Sequence, residues 1–156
     1  MMADKDISGG TQIDWTRGLP FKAGEWLLGV YQPSPETAGF WEGVREGRLM
    51  LKHCAACNLH FHPRRIACTE CGALDLAWRQ ASGRGRVYSY SDVHVAPIPE
   101  FKNSLPYTIG LVELEEGVHM FTRFIAEPGP VRIDAPATLD FRLLELGQRL
   151  PVWVVK

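Results

Sequence analysis

Four cysteines stand as two Cys-x-x-Cys pairs, Cys54/Cys57 and Cys68/Cys71, ten residues apart, and the chain has no other cysteine. Thiolates are soft ligands. Two short loops that each present a pair of sulfurs close a tetrahedron about Zn(II), which imposes no geometry of its own. The residues after each pair, Asn58 and Gly72, are of the types that tolerate the left-handed backbone of a tight metal knuckle. The pattern predicts a structural zinc site ligated by Cys54, Cys57, Cys68 and Cys71, with iron in a rubredoxin-type site and disulfides as the competing uses of the same residues. Disulfides are disfavoured because Met1–Asp6 lacks the apolar core of a signal peptide, so the cytoplasm is the expected compartment. His53, His60 and His62 lie close by, but four sulfurs already complete the shell; they are read as surface or supporting side chains.

The 156 residues, 46% of them hydrophobic, suffice for one modest core and a small metal module. A formal net charge of -1 counts against the commonest role of a zinc ribbon, because nucleic-acid binders carry a basic excess that neutralises phosphates. No apolar run approaches the ~18 residues of a membrane span.

Residues 1–33 have no clear period, yet contain Trp15, Phe21 and Trp26, aromatic anchors of the kind that dominate interfaces. They are read as an extended arm that docks on a partner or wraps its own domain. Ser34-Pro35-Glu36 opens a helix, with Ser34 as N-cap, Pro35 at the first helical position and Glu36 in the electropositive first turn. Phe40, Trp41 and Val44 form its apolar face, and Gly47 is a stop. After the metal module the period changes to two. Leu76–Ala81, Gly85–Val95, Tyr107–Leu114, Val118–Ile125, Ala137–Leu146 and Val152–Val155 read as strands, with a hairpin turn at Leu114–Val118. The expected class is mainly β: an arm (1–33), a helix (34–50), a four-cysteine ribbon (51–75) and a five-stranded Greek-key barrel of the OB type (76–156).

Specific residues carry a family resemblance. Phe40-Trp41-Glu42-Gly43, Gly47-Arg48-Leu49, His53-Cys54-Ala55-Ala56-Cys57, Pro63-Arg64, Cys68, Cys71-Gly72, Trp78, Ser82–Ser89, Pro106-Tyr107 and Leu114–Gly117 resemble the domain-of-unknown-function-35 family over residues 34–156. The resemblance implies a rubredoxin-like zinc ribbon joined to an acyl-CoA-associated OB domain. It also implies a role as a partner of thiolase-like enzymes, which make or break carbon-carbon bonds in CoA thioesters, including aromatic ones such as benzoylsuccinyl-CoA. One departure is Ile133-Asp134-Ala135-Pro136, where members more often carry a glycine turn. Thiolase chemistry needs a free cysteine to carry the acyl group; here all cysteines are committed, so the catalytic Cys and His are expected on the partner chain. Arg64, Arg65, Arg84, Arg86 and Lys102 are the candidates for CoA phosphates, each with solvated surface charge as the plainer reading. The loop Ala96–Pro106 is long and holds Ile98, Phe101 and Leu105; it would cover an acyl pocket or, through Phe101, a partner. His94 and His119 have no nucleophile beside them in sequence and are read as structural, while Asp92, Glu113, Glu115 and Glu116 are read as strand-edge and turn charges. Two other classes stay open. One is a single-stranded nucleic-acid module with Tyr88, Tyr90, Tyr107 and Phe121 as a stacking platform; the other is a rubredoxin-like electron carrier.

Overall fold

The computed structural model describes residues 34–96, 99–126, 129–143 and 149–156. All lie in the second of two units, Met1–Gln32 and Pro33–Lys156. Trp15, Phe21, Trp26 and Ile98 therefore fall outside the described residues.

The helix begins where its cap residues place it. The Ser34 N–H donates to Thr37 Oγ1 at 3.0 Å, the Thr37 N–H donates to the Ser34 carbonyl at 2.9 Å, and Pro35 opens a 3-10 turn, Pro35–Thr37. The α-helix α1, Ala38–Arg45, follows and buries Phe40, Gly43 and Val44. Gly47 ends it at φ +74. Its N–H reaches the Val44 carbonyl at 3.2 Å and that of Arg48 reaches Gly43 at 2.7 Å, the pair of bonds that closes a Schellman motif.

Two antiparallel partners then flank one central strand. β1 (Met50–Cys54) pairs with β2 (Leu59–Phe61) on one side and β3 (Ala77–Gln80) on the other. The segment around β3 reads in sequence as the front strand of the barrel, but its hydrogen bonds go to β1: Trp78 lies opposite Lys52, whose ammonium sits 4.0 Å from the indole centroid. Periodicity identifies a strand and is silent about its partner.

The barrel is closed in the order β4-β5-β6-β8-β7, with β4 Arg84–Val93, β5 Tyr107–Leu114, β6 His119–Ala126, β7 Pro136–Leu143 and β8 Arg149–Val155. β6 and β8 run parallel while the other pairs are antiparallel, the connectivity of a five-stranded OB barrel. The predicted turn is present: Gly117, at φ +75, donates its N–H to Leu114 at 2.9 Å. Before β7, Asp134 adopts φ +61 and its N–H donates to the Val87 carbonyl at 2.9 Å. Aspartate thus fills the left-handed position for which glycine is the usual choice.

Val87, Val112, Met120, Phe124, Trp153 and Val155 fill the barrel, and Phe40, Val44, Leu49 and Leu51 join the same apolar cluster, so helix, ribbon strand and barrel share one core. Among the described residues no helix is long and apolar enough to cross a membrane. The β4–β5 pairing shifts register between Val87 and Ser89, a bulge that drives the Ser89 carbonyl onto Gly110. A Cβ at residue 110 would collide with that backbone oxygen. Gly110→Ala is expected to cost ~1–3 kcal/mol of unfolding free energy, as overpacking against rigid backbone does, read from the urea midpoint.

Candidate metal centre

The two knuckles are built alike. β1 delivers Cys54 at its end, and the turn 55–58 returns the chain into β2 with Cys57 on the way. Asn58 takes φ +52 and Gly72 takes φ +72, so the residue after each pair adopts the left-handed backbone expected of it. In the second knuckle the Gly72 N–H donates to the Cys68 carbonyl at 3.0 Å and the Cys68 N–H to the Ala73 carbonyl at 2.9 Å. The four sulfurs lie within 4.8 Å of one another, with Cys54 Sγ 3.7 Å from Cys71 Sγ, and none is disulfide-bonded. A tetrahedron of ~2.3 Å metal–sulfur bonds has edges of about 3.8 Å, so the cluster matches a four-thiolate metal site with the sulfurs slightly splayed.

Electrostatics at the cluster favour a bound cation. The Cys71 and Glu70 backbone N–H groups point at Cys68 and hold its thiol down to about 7. Hydrogen bonding with Cys71, burial and the Cys68 sulfur push Cys57 up to about 12. At Cys54 the Cys57 N–H favours the thiolate, but burial and the Cys71 and Cys68 sulfurs outweigh it and raise the thiol. Four like charges in so small a volume require a divalent or trivalent ion among them to coexist. Cys54 and Cys68 are buried, Cys57 is half-buried and Cys71 is exposed.

His53 is placed differently from a surface histidine. It is 2% exposed, its ring is 4.7 Å from that of His60, and its Nε2–H donates to Asn58 Oδ1 at 3.1 Å. A buried imidazole therefore ties the strand before Cys54 to the left-handed residue after Cys57. Alternation into and along β1 (Leu49 just before it, Leu51 and His53 within it, all buried) carried that signal in the sequence. His60 and His62 are partly buried, and burial holds both imidazoles below the ordinary histidine range.

The candidate phosphate-binding residues do not gather at one place. Arg84 Nε and a terminal nitrogen contact Glu115 at 2.9 and 2.8 Å; Arg86 contacts Glu113 at 2.6 Å and Asp134 at 3.3 Å. Their carboxylate neighbours raise both guanidinium pKa values further. Arg64 and Arg65 project from the segment between the knuckles and Lys102 from the 3-10 turn Pro99–Ser104; all three are exposed and make no ion pair among the described residues. Phe101 is half-buried with its ring 5.7 Å from Tyr107. His94 is exposed, and Asp92 accepts the Thr108 hydroxyl at 2.6 Å.

Fold and site together define a four-cysteine ribbon joined to an OB barrel. The family model of the ChsH2 rubredoxin-like zinc ribbon domain matches residues 41–77, and that of the ChsH2 C-terminal OB-fold domain matches residues 78–142. A DUF35 domain-containing scaffold protein of Methanothermobacter thermautotrophicus is 34% identical over 112 residues, covering 69% of this chain and 82% of that protein. The chain belongs to the DUF35 family. A "Probable enoyl-CoA hydratase alpha subunit" of Thermomonospora curvata is 37% identical over 119 residues, 76% of this chain, but this chain spans only 37% of that protein. The benzoylsuccinyl-CoA thiolase subunit BbsA of Thauera aromatica is 27% identical over 102 residues, 65% of this chain and 63% of that protein. The solved Ltp2-ChsH2(DUF35) aldolase superposes with a TM-score of 0.69 at 34% identity, covering 80% of this chain and 98% of the matched one.

Asn58→Gly keeps the left-handed turn and loses only the bond to His53, whereas Asn58→Val strains the backbone as well, by about 1–2 kcal/mol. Chelator competition should therefore rank metal retention wild type, then Asn58→Gly, then Asn58→Val; equal retention in all three would remove His53 and Asn58 from the support of the site.

Proposed function

We propose that this chain is a non-catalytic zinc-ribbon/OB-fold subunit of a thiolase-type acyl-CoA complex, one that stabilises a catalytic partner and helps to shape the binding of its CoA ester. The observation that carries the reading is the commitment of every cysteine of the chain to one cluster. An acyl carrier of the thiolase kind needs a free thiolate and a base beside it. With all four thiols gathered in a metal cluster, the acyl-carrying thiol and its His belong to another chain. The relatives support the subunit reading, since three bear the names of subunits of CoA-ester enzymes and a similar solved structure is the Ltp2-ChsH2(DUF35) aldolase.

Zinc is the proposed ion. It supplies no redox step and, held by four thiolates, no open position for substrate or water; its contribution is shape. For the CoA ester, Arg64, Arg65 and Lys102 are the candidate phosphate contacts, while Arg84 and Arg86 would have to leave existing ion pairs first. An aromatic acyl group such as that of benzoylsuccinyl-CoA is the finer proposal for the substrate. Trp15, Phe21, Trp26 and Phe101 are proposed as partner contacts.

Co-expression with a thiolase-like chain from the same genome should yield a stable complex with thiolytic activity that neither chain shows alone, and metal analysis should find one zinc per chain. Cys54→Ala should lose the metal and the complex together. A red, iron-loaded protein would favour the electron-carrier reading. Absence of both a complex and CoA-ester binding would overturn the subunit reading.

A further inference from the structure

The outer face of β4, β5 and β6 exposes large aromatic side chains. Leu111 and Phe121 lie directly opposite one another, and the bulge in β4 sets Tyr88 beside them. Tyr88 is 54% and Phe121 68% exposed, and the Tyr88 ring meets that of His119 edge-on at 4.5 Å. The neighbouring row continues with Ile109 opposite Arg123, whose guanidinium lies 4.9 Å from the Tyr107 centroid.

In an OB barrel the second and third strands form the face that takes single-stranded nucleic acid. Such ligands require cations left over to neutralise phosphates. At the rim of this face two guanidiniums, Arg84 and Arg86, meet three carboxylates, Glu113, Glu115 and Asp134, all in ion pairs. With Arg123 on the face itself, three guanidiniums stand against these three carboxylates, so the face is charge-balanced and offers no cationic excess to draw a phosphate. Exposed aromatics inside a rim of satisfied charges are instead the composition of a protein interface.

We propose that the β4–β5–β6 face, centred on Tyr88, Leu111 and Phe121, docks a neutral, apolar surface of the thiolase-like catalytic chain. This rests on the subunit reading above. The charge balance selects the occupant: neither an acidic surface nor a polyanion gains from guanidiniums that are already matched by carboxylates. Binding at this face is driven by buried apolar area and is insensitive to salt.

The test uses the full chain with the thiolase-like chain of the same genome. Phe121→Asp and, independently, Tyr88→Ser are compared with Leu74→Asp, an exposed apolar position on the ribbon. Metal content and near-UV circular dichroism verify folding. Expected are a loss of affinity of at least ~30-fold for Phe121→Asp, as for a central anchor, a smaller loss for Tyr88→Ser, and little change for Leu74→Asp. Wild-type affinity should change less than ~3-fold between about 0.05 and 0.5 M salt. A wild-type complex that tolerates both face substitutions overturns this inference and leaves the subunit reading standing. No wild-type complex at all overturns the subunit reading and this inference with it. Self-association of the wild type that Phe121→Asp abolishes would assign the face to a second copy, and salt-sensitive oligothymidylate binding lost in the same variant would assign it to nucleic acid; either result overturns the docking proposal.

Discussion

Strand β1 couples the metal site to everything else. Leu49 and Leu51, just before and within it, are buried in the core that also holds Val87, Val112 and Trp153 of the barrel. Two residues further on, the same alternation turns His53 inward, and the strand then ends at Cys54. A five-residue strand cannot slip by one position without turning every one of these side chains to the wrong face. The position of the first sulfur is therefore fixed by apolar packing, and a metal held there would in turn fix the end of a strand that shares its core with the barrel. A ribbon of this size has too little apolar surface to stand alone; sharing a core with the barrel is how it becomes rigid.

Much of this was legible in the sequence because it depends on local chemistry. Thiol spacing and the left-handed residue types at 58 and 72 specify the knuckles, and Ser34-Pro35 and Gly47 bracket the helix. Alternation locates the five barrel strands, and the glycine at 117 locates their tightest turn. What stayed hidden depends on pairing across distance. The strand at Ala77–Gln80 is a strand in either sheet, and only its hydrogen bonds to β1 decide which. Arg84 and Arg86 look like free cations until folding brings Glu115, Glu113 and Asp134 beside them, 27 to 48 residues away. The bulge beside Tyr88 has no glycine of its own; its sequence mark is Gly110 on the facing strand.

The ion pairs matter as much for what they withhold as for what they stabilise. Exposed pairs of this kind add little to folding. By satisfying the guanidiniums at the β4–β5 edge, however, they divide the surface into a charge-neutral barrel face and a cationic segment between the knuckles, where Arg64 and Arg65 have no carboxylate partner among the described residues. A barrel topology widely used for polyanions is thereby given a different surface chemistry without any change of fold.

The two knuckles, alike in backbone, differ in what holds them. The first is buried at Cys54 and anchored through Asn58 to an imidazole in the interior. The second has glycine in place of asparagine and leaves Thr69, Glu70, Cys71 and Gly72 facing solvent. Local opening begins where the fewest buried contacts resist it, so an ion held by the four sulfurs would be released first from the side of Cys71. The same exposure makes Cys71 the sulfur most open to oxidants, with Cys54 and Cys68 buried behind it.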